Sequence, residues 1–388
     1  MTIAPTQVPV LDIPLARPDI TEVERDAVMR VLEGPILSLG PELDAFEKEL
    51  ALQAGVSYAV ATNSGTSALH LTMLALGIGP GDEVITTPFS FIASANCILM
   101  VGATPVFADI DPLTLSIDPQ EVQKKINSRT RAILAVDVFG HPAHWDALRD
   151  IASEHDLSLV EDSAESIGST YRGRPTGGLA DVAIFAFYPN KQITTGEGGA
   201  LLTNDGNIAS TARSLRNQGR SDQGGWLAHH TMGYNFRLSD INCALGRAQL
   251  GRLEEILAPR AQVAETYNRM LVDLPEIGTQ YVASDVEMSW FVYVVQLASQ
   301  FTSDDRDQVL LYLRDRGIGC SNYFPSIHLE PFYRTRFEYA PGDYPVSESI
   351  SDRSIALPFY GSLPLRYIEA VVETLADAVA EVSPGANG

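Results

Sequence analysis

Short runs of β-branched and aliphatic residues alternate along the chain with stretches whose apolar positions recur every three or four residues. The strand-like runs lie at 58–62, 84–87, 104–108, 132–138, 157–161, 182–187 and 200–203, and helical patterns occupy 68–76, 91–101 and 144–155. Such alternation predicts mostly parallel strands joined by crossover helices, in a sheet covered on both faces. From Ile208 onward helical patterns dominate, at 240–257 and 260–271. The last third offers a strand over 290–297, helices at 303–316 and 365–382, and a Pro- and Tyr-rich stretch from Tyr323 to Tyr344. The pattern predicts a large α/β domain over 1–258, with an N-terminal arm and helix, and a smaller α+β domain over 259–388.

Two uncharged stretches, 50–81 and 84–108, exceed the roughly 20 residues that span a bilayer. The polar run Thr62–Ser67 breaks the first, and Pro88, Asn96, Gly102 and Pro105 break the second, so both read as buried strands joined to helices. The opening residues show no basic segment followed by an apolar run, so no secretory signal is expected. With 388 residues and 45% hydrophobic content the chain can bury a large core. Its 49 acidic and 27 basic residues give a net charge of −22, which repels phosphate backbones and anionic lipid. Neither nucleic acid nor membrane is an expected partner. Cys97, Cys243 and Cys320 are too scattered for a disulfide framework or a thiolate zinc site, and the cytoplasm is the expected location.

Only four lysines stand against 23 arginines, and three of them, Lys48, Lys124 and Lys125, lie on charged amphipathic helices. Lys191 differs: it follows an apolar strand, has no other charge in the nine residues before it, and precedes Gly196-Glu197-Gly198-Gly199. Two roles fit it, a desolvated amine that forms a Schiff base with an aldehyde and a plain lysine at a loop mouth. The segment Thr62-Asn63-Ser64-Gly65-Thr66-Ser67, between a strand and a helix, fits either a phosphate site or an ordinary N-cap. Asp162 ends the strand Leu157–Glu161, where it either points into the crevice at the strand ends or caps a helix after the strand. A phosphate cradle, a carboxylate and a lone lysine are together the three contacts that pyridoxal phosphate needs.

These residues sit in longer motifs: NSGTSALHLTMLALG, TTPFSFIASANCILMVGATPVFADID, VEDSAESIGSTYRG, FAFYPNKQITTGEGGALLTND, GYNFRLSDINCALGRAQL and YFPSIHLEPFY. In them the chain resembles the DegT/DnrJ/StrS-type sugar-nucleotide aminotransferases, fold type I pyridoxal-phosphate enzymes, from about Ile13 to the last helix. The resemblance implies a seven-stranded-type sheet, with Lys191 as the Schiff-base lysine and proton shuttle and Asp162 as partner of the pyridine nitrogen. It implies phosphate contacts from Gly65, Thr66 and Ser67, stacking by Phe91, and a homodimer whose Asn235 reaches the neighbouring subunit's cofactor. L-glutamate and a nucleotide-linked keto sugar are the implied substrates.

Two departures modify the expectation. Ala186 stands where the family often has a phosphate-binding serine, and Glu165 stands where many relatives carry glutamine or histidine. Glutamate there resembles the perosamine synthase-like subgroup, which implies amination of a keto-6-deoxyhexose at C4, with C3 amination or a non-catalytic regulatory role as alternatives. Tyr323 and His328 match a segment that lines the substrate pocket in relatives, although a packed loop histidine fits equally. Arg237 and Arg220 could pair with a nucleotide pyrophosphate or be plain surface arginines. No metal is expected: His229 and His230 are adjacent and point apart. His70 reads as a core histidine and His141 as a structural one.

Overall fold

The computed structural model of the chain describes residues 11–220 and 228–383. The helices are α1 Glu22–Leu32, α2 Pro41–Ala54, α3 Gly65–Ala75, α4 Ala93–Met100, α5 Pro119–Lys125, α6 Trp145–Glu154 and α7 Gly206–Arg216. They continue as α8 Asp240–Gly251, α9 Leu253–Leu271, α10 Ser303–Asp315, α11 Pro331–Phe337, α12 Pro345–Arg353 and α13 Leu365–Val382. The strands are β1 Tyr58–Thr62, β2 Glu83–Thr86, β3 Thr104–Phe107, β4 Thr130–Val136, β5 Ser158–Asp162, β6 Thr170–Tyr171 and β7 Arg174–Pro175. After them come β8 Val182–Ala186, β9 Gly199–Thr203, β10 Ile277–Gly278, β11 Val286–Glu287, β12 Tyr293–Leu297 and β13 Ser354–Leu357.

A seven-stranded sheet in the order β1-β9-β8-β5-β4-β2-β3 forms the centre of the fold. The pairs among β8, β5, β4, β2 and β3 are parallel, and β9 runs antiparallel to both neighbours. The strands are buried on both faces, which is why β4 reads TRAILAV as a near-continuous apolar run rather than an alternating one. Because β9 reverses direction, the connection 187–198 from β8 stays at the carboxyl ends of the parallel strands. The turn from β1 into α3 and the end of β5 lie at the same edge, where ligands collect in open sheets.

Local signals set the ends of these helices. Thr21 and Glu24 form a capping box on α1, and Thr302 and Asp305 form another on α10. Ser64 caps α3, its hydroxyl accepting from Ser67 N, so this helix begins three residues before the expected position.

The pattern at 240–271 divides differently from the sequence expectation. The break falls at Arg252, and α9 runs through Pro259 without ending there. Burial holds both halves against the proline's lost hydrogen bond. Leu253 and Ile256 pack into a core with residues of β1, β8 and β9, whereas Val263, Ala264, Tyr267 and Leu271 pack against the β12–β13 sheet in a second core. The N-terminal arm, expected on the large domain, joins that second core: Ile13 is buried there and pairs with Ile318. Hydrogen bonds from Leu11 N to Arg316 O and Ile13 N to Gly317 O hold it.

Gly199, at the start of β9, packs against the backbone at the β1–α3 turn. A Cβ there would lie 2.6 Å from Gly65 N and from the Ser64 carbonyl, all main chain that cannot step aside. Gly199→Ala is expected to lower stability by about 1–3 kcal/mol in urea unfolding. An unchanged midpoint would contradict this packing.

Candidate active site

Segments at the carboxyl ends of the parallel strands, Phe291 before β12, and Tyr323 and Phe324 after α10 enclose a cavity of about 530 Å³. Ser64, Gly65 and Thr66 form one wall, with backbone N–H groups of the first helical turn that have no partner within the helix. Gly65 makes room there, since a Cβ on it would stand 2.7 Å from the Ala186 Cβ. Ser67 does not line the cavity. Its hydroxyl donates to Asn63 Oδ1 at 2.7 Å and meets Ser64 Oγ at 2.9 Å, so it braces the turn while Ser64 takes the lining position.

Asp162 is only 3% exposed at the floor of the cavity. Ser94 Oγ donates to its Oδ2 at 2.7 Å and Ala164 N to its Oδ1 at 3.2 Å. Burial pushes this carboxyl up to about 6, against the pull of the hydrogen bonds from Ser94 and Ala164. Ser90 and Ser94, four residues apart, meet at 2.8 Å. Phe91, between them in sequence, is 60% exposed and lines the cavity. Ser90 precedes α4 and Ser94 lies on it, and nothing in the sequence linked either serine to Asp162.

Lys191 extends into the cavity, and its Nζ donates to Glu165 Oε1 at 3.3 Å. The other oxygen of Glu165 accepts from Phe139 N at 2.9 Å, which fixes the carboxylate. Phe291 lies beneath the lysine, with Nζ 4.0 Å from the ring centroid. Tyr188, Asn190, Glu197 and Tyr323 complete the polar part of the lining, and Asn190 Nδ2 donates to Tyr323 Oη at 3.5 Å. Phe291 gave no sequence signal because it lies 100 residues farther along the chain, in the segment before β12.

Several expected residues stand outside the cavity. His328 is fully buried, with Nε2 at 3.0 Å from Glu348 Oε1, so it has no surface to offer a sugar from this position. Glu348 also accepts from Gly342 N and Tyr344 N, making the histidine part of a loop brace. Arg237 donates to Asn217 Oδ1 at 3.0 Å, and Asn235 is exposed, paired in a bridge with Asn217. Arg220 and His229 also pair in a bridge, and His229 Nδ1 meets Gln218 O. His70 is buried against Tyr234 and Phe236, and His141 bonds Pro142 O and Ala283 N. Among the described residues no group of three or more His, Cys, Asp or Glu is arranged to hold a metal, and no helix is long and apolar enough to cross a membrane.

Comparison with known proteins decides the family. Residues 18–376 match the model of the DegT/DnrJ/EryC1/StrS aminotransferase family. The chain belongs to that family. It is 38% identical over 366 residues to a GDP-perosamine synthase of Caulobacter vibrioides, covering 94% of this chain and 97% of the relative. It is 38% identical over 374 residues to the dTDP-3-amino-3,4,6-trideoxy-alpha-D-glucose transaminase of Streptomyces venezuelae, covering 95% and 96%. Among solved structures it is similar to PseC of Helicobacter pylori, an aminotransferase of pseudoaminic acid biosynthesis. The TM-score is 0.90 at 31% identity, covering 95% of this chain and 99% of that one. A candidate sugar aminotransferase of Streptococcus pneumoniae, solved in a PLP form, gives a TM-score of 0.91 at 27% identity, covering 96% and 100%.

The protein is thus an aminotransferase of the DegT/DnrJ/EryC1/StrS family, and membership implies pyridoxal phosphate. The cavity fits that group: a helix N-terminus opened by Gly65, a buried carboxylate without a contacting cation among the described residues, and an amine on the facing wall.

A carboxyl with a raised value binds more protons folded than unfolded between 3.8 and about 6. Ionised Asp162 therefore costs the cofactor-free protein stability above about pH 6, and the cost vanishes as pH falls below 3.8. Asp162→Asn is expected to stabilise the cofactor-free protein at alkaline pH by on the order of 1–3 kcal/mol, while weakening cofactor binding. Chemical denaturation with the cofactor removed checks it, and a variant less stable than wild type at alkaline pH would contradict it.

Proposed function

We propose that this enzyme transfers the amino group of L-glutamate to a nucleotide-linked keto-6-deoxyhexose, at C4. The observation that carries the reading is the placement of one amine, Lys191 Nζ, against Glu165 in a cavity floored by buried Asp162. Pyridoxal phosphate, when bound, supplies an electron sink for the donor and acceptor carbons. The Gly65 and Thr66 backbone with Ser64 would hold its phosphate, Asp162 its ring nitrogen, and Phe91 a ring face.

Lys191 Nζ would carry one proton in each half of the reaction, first from the donor carbon to the cofactor carbon that takes up the nitrogen, and later from that cofactor carbon to the sugar carbon. Glu165, 3.3 Å from that nitrogen, would keep it in reach, and Asp162 would hold a proton on the ring nitrogen. The choice of C4 rests on Glu165 and on the likeness to GDP-perosamine synthase. C3 is the rival reading, because a relative of equal identity is named for a 3-amino sugar. A purely regulatory role is disfavoured by the complete set of Lys191, Asp162 and Glu165 in one cavity.

A second copy would complete the site through Asn235, which is exposed on its own subunit. Exposed Met29, Leu32, Ile36, Leu37 and Leu39 are apolar side chains that such a partner could cover. The expected cytoplasmic location accords with a nucleotide-sugar substrate.

Incubation with L-glutamate and a nucleotide-linked 4-keto-6-deoxyhexose is expected to yield a product whose NMR spectrum places nitrogen at C4; nitrogen at C3 would contradict the regiochemistry. Lys191→Ala is expected to lose roughly 10²–10⁴-fold in rate or more. Substantial amination by that variant would overturn the assignment. Ala186→Ser adds a hydroxyl beside the α3 N-terminus and is expected to tighten cofactor binding by about 1 kcal/mol, roughly fivefold, in a spectroscopic titration. No gain would argue against a phosphate role for position 186.

A further inference from the structure

Lys191 Nζ is held from two sides. Glu165 Oε1 stands 3.3 Å away, and the face of Phe291 lies with its centroid at 4.0 Å. An ammonium over an aromatic face is attracted by the ring quadrupole, more strongly where water is excluded. Water is largely excluded here: the lysine side chain is 12% exposed, Glu165 5% and Phe291 2%.

The ring is not placed by apolar packing alone. Arg260, buried on α9, donates from Nε to Trp290 O at 3.0 Å and from Nη2 to Phe291 O at 2.6 Å, clamping two successive carbonyls. Trp290 carries a φ of 45°, a left-handed conformation that a bulky side chain seldom adopts. The residue next to Lys191 ties the two walls together, since Gln192 Nε2 donates to Glu165 O and to Ser289 Oγ. Gly140 leaves the space between them, because a Cβ on it would lie 3.2 Å from Glu165 O and 3.4 Å from Phe291 N.

We infer that Phe291 is a positioning residue for Lys191. Its ring and the Glu165 carboxylate form a two-sided cradle that holds the lysine ammonium whenever that nitrogen is not joined to the cofactor, and Arg260 holds the ring in place. The inference rests on the proposed role of Lys191 and adds where its nitrogen waits between the two halves of the reaction. A proton carrier returned to one fixed place loses little time in search of the carbon it serves.

The test needs no cofactor, because the chain has only four lysines. With isotope-labelled lysine side chains in the cofactor-free protein, the Lys191 Hε signals, assigned by their loss in Lys191→Ala, are expected upfield of the other three through the ring current of Phe291. The displacement is expected to vanish in Phe291→Leu, or in Phe291→Met should the leucine variant not fold, and to persist in Phe291→Tyr. No displacement in the wild type, or one that survives loss of the ring, overturns the cradle. In the complete enzyme Phe291→Leu is expected to lower kcat about 3- to 30-fold with KM for L-glutamate unchanged, and Phe291→Tyr to restore it. An unchanged kcat also overturns it. Failure of the wild type to use L-glutamate would count against the proposed function, not against the cradle, which the NMR measurement tests alone.

Discussion

Asp162 is a carboxylate at the end of a buried strand, held by one hydroxyl and one backbone N–H, with no cation in contact among the described residues. Such a group is costly in a folded chain unless something positive is brought to it. The cavity above it has the dimensions and the other contacts for a flat cationic ring. Burial raises the proton affinity of Asp162, and a protonated ring nitrogen would supply the missing charge. The same burial that makes the free carboxylate costly would favour a cationic ring placed against it.

The remaining architecture serves to bring two further groups to that carboxylate. β1 and β5 run in the same direction and end at one edge, and the reversal at β9 returns the 187–198 loop to the same edge. Tight backbone contact is needed there, which is why glycines stand at 65 and 199, where any side chain meets a neighbouring strand or turn. The segment leading into β12 contributes as well. This segment carries Ser289 to Gln192 and Phe291 to Lys191, with Arg260 of α9 fixing the carbonyls of Trp290 and Phe291.

Much of this was legible in sequence because it depends on local pattern. The strand and helix alternation, the Ser/Thr-rich turn before α3, and the solitary lysine after an apolar strand all sit within short windows, and all face one cavity. What was not legible depends on distance in the chain. Ser64 rather than Ser67 lines the wall because the helix begins three residues early and turns the later hydroxyl toward Asn63. His328 lies in a substrate-type motif, yet the loop at 342–348 folds over it and draws it to Glu348. The arm at Ile13 joins a core formed almost entirely by residues beyond 260, a pairing that no local periodicity encodes.

The central claim is that Lys191 and Asp162 hold pyridoxal phosphate in a form that accepts an amino group. The most direct test is the visible spectrum of the purified protein titrated with pyridoxal phosphate, before and after L-glutamate. The account predicts a visible band that depends on Lys191 and bleaches when L-glutamate is added. A band that forms equally in Lys191→Ala, or no band at all in the wild type, would contradict it.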